Sequence, residues 1–172
     1  MQHDRIKHPA PDGAADLFAS RRSVAEVEEG QVLAPRFDAG GLLPVITSDA
    51  ATGDILMLGY MNADALARTL ATGEMHYWSR SRNVLWRKGE TSGLVQRVRE
   101  ILVDDDQDAL LARVRVQGES GASCHVGYRS CFYRSIALDG ATARPARLIF
   151  AEQGKSFDPR IVYGDAPNPT VL

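Results

Sequence analysis

Cys124 and Cys131 stand in the run Ser-Cys-His-Val-Gly-Tyr-Arg-Ser-Cys-Phe-Tyr, and an acidic cluster of Asp104, Asp105, Asp106 and Asp108 precedes them. Thiolate and imidazole favour zinc, whereas clustered carboxylates favour magnesium or calcium, so one short stretch carries both soft and hard metal ligands. The chemistry this suggests is hydrolysis at a metal-bound water. Asp104, Asp106 and Asp108 are spaced by two and would project to one side if a strand ran through them. Carboxylates that close repel one another and call for a hard cation such as magnesium. The plainer alternative is a solvated acidic turn between two strands. The two cysteines with His125 between them resemble part of a zinc site, at a wider spacing than Cys-x-x-Cys motifs. Two buried small hydrophobes are the ordinary alternative. A lone histidine such as His125 hydrogen-bonds in a loop as readily as it acts in catalysis.

A second segment with chemical content runs Trp78-Ser-Arg-Ser-Arg-Asn-Val-Leu-Trp-Arg-Lys-Gly-Glu-Thr-Ser-Gly93. Arg80, Arg82, Arg87 and Lys88 lie close to Trp78 and Trp86, and the stretch from Gly89 to Gly93 adds hydroxyl and backbone donors. Phosphate held by guanidinium forks and loop amides, beside an aromatic ring that stacks a base, requires this mixture. A basic hairpin with a glycine-rich turn shows it too, and the Walker pattern is missing.

The elements that must position these groups are readable in outline. Leu42 to Thr47 and Ile55 to Tyr60 flank a turn containing Asp49 and Gly53, which predicts a hairpin. Asn62 is a good cap for a helix from Ala63 to Ala71, with Leu66 and Leu70 on one face and Gly73 as the stop. Met75 to Trp78, Val84 to Trp86 and Val95 to Val103 are rich in β-formers. Leu110, Ala112, Val114 and Val116 alternate with Leu111, Arg113, Arg115 and Gln117, the period of a half-buried strand. These elements predict an α+β fold, mostly antiparallel sheet with one main helix. Residues 1–37 read as an extension, with one helix stopped by Gly30, that packs on the body or stays partly mobile. Residues 38–150 form the body, and 151–172 an irregular surface tail.

At 172 residues the chain has room for one domain with its own core. Hydrophobic residues make up 44% and charged residues 24%, which excludes a disordered or membrane class. A net charge of -2 offers no general attraction to nucleic acid. No apolar run matches a secretory signal or a membrane span, so a cytoplasmic protein with reduced thiols is expected.

Taken in order, Leu43-Pro-Val-Ile, Asp54 to Asn62, Trp78-Ser-Arg-Ser-Arg82, Leu85 to Gly93, Asp104-Asp-Asp-Gln-Asp108, Cys124-His and Ser130-Cys-Phe-Tyr133 resemble the phosphoribosyl-AMP cyclohydrolases of histidine biosynthesis. The resemblance implies water addition to the adenine ring of N1-(5-phosphoribosyl)-AMP, with cleavage between N1 and C6. It implies an intertwined homodimer with a β-roll, no nucleic acid or membrane partner, and metal sites built from both subunits. By motif, Asp104, Asp106 and Asp108 would hold Mg2+, and Cys124 and Cys131 would hold Zn2+. Arg80, Lys88, Glu90, Thr91 and Ser92 fall where substrate phosphates and ribose are expected, and His125 is the candidate proton shuttle. One position departs: the family's Asp-Cys-Asp-x-Asp supplies a third thiolate where this chain has Asp105. The third ligand is then Asp105 or His125, another metal fills the site, or the chain is an inactive relative that binds metal or nucleotide. Hydrolysis of another purine-like heterocycle is a further alternative.

Overall fold

A computed structural model of the chain describes residues 17–138 and 145–170. The first turn of order is the short helix α1, Val24–Glu29, whose Ser23 side chain accepts the Glu26 N–H and which ends at Gly30. The expected hairpin follows as β1, Leu43–Asp49, and β2, Ile55–Met61, paired antiparallel with Val45 opposite Gly59. Asn62 then caps α2, Ala63–Thr72, accepting the Ala65 N–H at 2.9 Å. Gly73 closes that helix at φ +67, a conformation costly for residues with a Cβ. The expected apolar face needs one correction. Leu66 is buried, but Leu70 is exposed, and the buried partner one turn on is Thr69. Its hydroxyl reaches the Ala65 carbonyl at 2.8 Å and receives the His76 N–H at 3.0 Å.

Strands β3, His76–Ser79, and β4, Val84–Arg87, form a small hairpin. The long strands β5, Gln96–Val103, and β6, Leu110–Val116, pair antiparallel and flank the aspartates. The main sheet has the order β2-β1-β6-β5, so antiparallel pairs dominate but its centre, β1 against β6, is parallel. Leu43, Val45, Leu56, Met61, Leu66, Met75, Tyr77, Leu110 and Val114 fill the space beneath one sheet face. Each such side chain stabilises the fold by roughly 1.5–3 kcal/mol through burial.

The opposite face is unlike the first. Ile46 stands opposite Leu58 on β2 and Leu111 on β6, and Leu111 stands opposite Leu102 on β5. Ile46, Leu58 and Leu102 of this cross-strand row are exposed.

Beyond the main sheet, β7, Arg134–Ile136, pairs with β8, Leu148–Phe150, and a short helix α3, Pro159–Tyr163, follows. The region expected to be an irregular tail therefore holds one helical turn. Within the extension, residues 17–37 pack on the body: Phe18 and Phe37, edge to face at 6.0 Å, both lie against the core cluster. The expectation for residues 1–16 lies outside the described residues. Among the described residues no helix is long and apolar enough to cross a membrane.

Candidate active site

The aspartates lie in the turn between β5 and β6, not on a continued strand. The segment is a turn, as the plainer alternative had it, yet the carboxylates still converge. One oxygen from each of Asp104, Asp106 and Asp108 lies within 4.8 Å of the others. The turn builds this itself: Asp104 Oδ1 accepts the N–H groups of Asp108 at 2.8 Å and Ala109 at 2.9 Å. Desolvation raises the Asp104 pKa, but those two N–H groups, together with the Asp108 side chain and Asp104's own backbone, outweigh it and hold the carboxyl below its ordinary value. Gln107 turns inward at φ +57; its side chain accepts the Ala34 N–H at 2.7 Å and donates to the Val27 carbonyl at 2.9 Å. Arg36 donates to Asp106 at 2.5 Å and also to Asp108, while Arg21 reaches the Asp106 carbonyl at 2.8 Å. An all-oxygen triad fits a hard cation, provided that the cation displaces the Arg36 guanidinium.

The thiols occupy the loop between β6 and β7. Cys124 is buried, Cys131 is exposed, and neither forms a disulfide. The influence of the Cys131 thiol, helped by the Val126 N–H and the charge of Lys88, brings the Cys124 pKa down to about 6 despite burial. Cys124 in turn pushes Cys131 up. Within the pair, Cys124 is the sulfur that gives up its proton first.

Distant parts of the chain hold this loop. The Cys131 N–H donates to the Leu56 carbonyl at 2.7 Å, and the Ser130 hydroxyl to the Ile55 carbonyl at 2.8 Å. Arg129 grips the β1–β2 turn through Asp54 at 2.7 Å and Asp49 at 3.0 Å. A buried polar chain joins β1 to the loop: Thr47 meets Tyr77 Oη at 2.8 Å, which donates to Gln96 at 2.6 Å, and Gln96 donates to Ser123 at 3.1 Å.

Of the expected substrate-binding residues, Lys88 is buried, and its ammonium donates to the Ser123 carbonyl at 2.6 Å, facing the thiol loop. Burial lowers its pKa, and both thiols oppose that shift. Arg80 lies over the Tyr60 ring at 3.9 Å. Glu90 and Thr91 are exposed, and Ser92 accepts the Leu94 N–H at 3.3 Å. His125 sits at the edge of a cleft of about 610 Å³, with Lys155, Phe157, Arg160 and Asn168 across from it. Its Nε2 is buried without a hydrogen-bond partner. Burial holds the imidazole below its ordinary pKa against a pull from Asn168.

Cys124, Cys131 and Asp105 do not meet within one chain: among the described residues the aspartate triad is the one set of three such ligand groups that converges. The two sulfurs and the unpartnered His125 nitrogen are the right donor types for zinc, but one chain supplies an incomplete set. Sequence reasoning missed Arg36, Gln96 and Glu152, the last of which accepts the Ser130 N–H at 2.9 Å. Gln96 alone left a signal, as a polar residue at an inward strand position.

Two free thiols in one loop, with a buried imidazole nitrogen that lacks a hydrogen-bond partner beside them, are the kind of grouping that enzyme sites carry. A family model described as phosphoribosyl-AMP cyclohydrolase matches residues 57–133. The phosphoribosyl-AMP cyclohydrolase of Bradyrhizobium diazoefficiens is 54% identical over 139 residues, covering 80% of this chain and 94% of the relative. That of Chelativorans is 58% identical over 128 residues, covering 74% and 88%. That of Rhodopseudomonas palustris is 49% identical over 145 residues, covering 84% and 95%. The chain belongs to the phosphoribosyl-AMP cyclohydrolase family.

Proposed function

We propose that the chain catalyses the phosphoribosyl-AMP cyclohydrolase reaction of histidine biosynthesis, adding water at C6 of the N1-substituted adenine ring and opening the N1–C6 bond. The observation that carries this reading is the 54% identity over 139 residues to an enzyme of that name, in a chain whose two free thiols, Cys124 and Cys131, share one loop. Zinc, when bound, supplies a Lewis acid that lowers the pKa of water from 15.7 towards roughly 7. Cys124 and Cys131 would hold it, with Asp105 or His125 of a second copy completing the set. Asp104, Asp106 and Asp108 would hold magnesium, which neutralises substrate phosphate.

The chain's own groups then have distinct tasks. Lys88 balances the ionised thiol from a buried position and keeps it available as a ligand. His125 stays neutral at pH 7 and can take a proton at Nε2, which has no competing partner. Arg80, Glu90, Thr91 and Ser92 would contact the substrate phosphates and ribose. The substrate ring is already cationic at N1, so positioning and proton transfer dominate the work.

A homodimer with shared sites is part of this reading. The exposed row of Ile46, Leu58 and Leu102 supplies a self-complementary apolar face, and the incomplete sulfur site gives two copies a reason to meet. Sedimentation should show a dimer that Ile46→Arg disrupts; a monomeric, fully active wild type would overturn this part.

The second reading, a non-catalytic metal or nucleotide binder, draws on Asp105 standing where the family has a thiolate. Incubating the purified protein with phosphoribosyl-AMP and following the absorbance of the ring-opened product decides between them. Turnover of other N-substituted purines in preference to phosphoribosyl-AMP would move the substrate assignment instead.

A further inference from the structure

Residues 147–160 follow the stretch that the family model matches, and they close over the thiol loop at three points. Phe150 lies 6.0 Å from the Tyr128 ring and 6.1 Å from the Tyr133 ring, which stack on each other at 4.0 Å. The Ser156 N–H donates to the Gly127 carbonyl at 2.7 Å. Gly127 has φ +101, and a Cβ there would stand 2.5 Å from the Phe157 carbonyl oxygen, so the two backbones meet as only glycine permits. Between these anchors the Glu152 carboxylate accepts the Arg129 N–H through one oxygen and the Ser130 N–H through the other, each at 2.9 Å.

As a charge, Glu152 has the wrong sign to assist the thiols. It favours the protonated form of both sulfurs, the reverse of Lys88. Its contribution is geometric: one carboxylate binds the two N–H groups directly before Cys131, in charge-assisted hydrogen bonds. Each of its oxygens is already engaged by the loop. We propose that Glu152 is a positioning residue, acting through residues 127–131 to keep the Cys131 sulfur beside that of Cys124 as a preformed soft-metal pair. This rests on the reading of the two thiols as metal ligands. Partners that orient ligands in this way commonly change metal affinity by about 10–100-fold.

Cobalt(II) titration of the full-length, metal-free protein tests the idea, with thiolate-to-cobalt charge-transfer absorption as the readout. The wild type should develop the band, Glu152→Ala should bind about 10–100-fold more weakly, and Glu152→Gln, which keeps one acceptor oxygen, should fall between. Unchanged affinity and band intensity in both variants would overturn the proposal. So would a loss of affinity no greater than the unfolded fraction measured by circular dichroism at the same temperature. If Glu152→Ala does not fold, Glu152→Gln decides alone. A wild type that lacks the band sinks the thiol-metal reading itself, an outcome seen before any variant is compared.

Discussion

The two ligand-bearing regions are each clamped by an end of the chain, but in different ways. On the aspartate turn, Arg36 from the N-terminal segment sits directly on the ligand oxygens of Asp106 and Asp108. On the thiol loop, the C-terminal segment grips backbone N–H groups through Glu152, behind a buried Cys124 and an exposed Cys131. Under the proposed metal assignment, the first clamp would compete with a cation and the second would prepare for one. Hard carboxylates in a partly exposed turn tolerate exchange with an arginine, because the electrostatics there are screened. A sulfur pair over the core has no such freedom, so its geometry is fixed from behind.

Removing either sulfur should break the comparison most severely. Cys124→Ser or Cys131→Ser should lower kcat by more than about 100-fold, beyond the range of outer partners, while substrate binding by calorimetry stays near wild type. Equal loss of affinity and rate would mean that the loop holds substrate rather than the reacting centre. Arg129→Ala should come next. It loses a part-buried contact to Asp49 and an exposed one to Asp54, so thermal unfolding should show a small loss of stability, on the scale of one part-buried ion pair, with cobalt binding to the thiols weakened alongside.

Arg36→Ala should act in the opposite direction. Magnesium titration should show tighter binding, about fivefold at most, the scale of one exposed ion pair, with no change in the cobalt spectrum of the thiols. Weaker magnesium binding would mean that Arg36 organises the triad rather than competing for it. The smallest effect belongs to a group outside both regions. Burial lowers the pKa of His76, so the folded state resists its protonation. Its contribution is complete above the ordinary histidine value and is lost as pH falls through the folded value. His76→Gln should therefore flatten the decline of Tm between pH 7.5 and 5, and an unchanged slope would assign that decline elsewhere.

Local signals in the sequence carried a good part of this molecule. Asn62 and Gly73 bracket α2 as expected, because capping is decided within a few residues. The alternation from Leu110 marks β6, since one face of that strand is buried and the other is not. The aspartates converge even though they form a turn, because Asp104 organises its own neighbours. What stayed hidden depends on long-range pairing. Nothing near Lys88 announces that its ammonium will be buried against Ser123, and nothing near Glu152 announces Arg129. Leu70 follows helical spacing, but the covering elements reach only as far as Leu66 and Thr69.

The parallel pairing of Val45 with Leu110 has a consequence for how the protein is made. Parallel neighbours cannot be joined by a tight turn, so the middle of the main sheet stays open during synthesis until β6 has emerged from the ribosome. The first hairpin must wait with one hydrogen-bonding edge bare, and chaperone demand should be greatest in that interval.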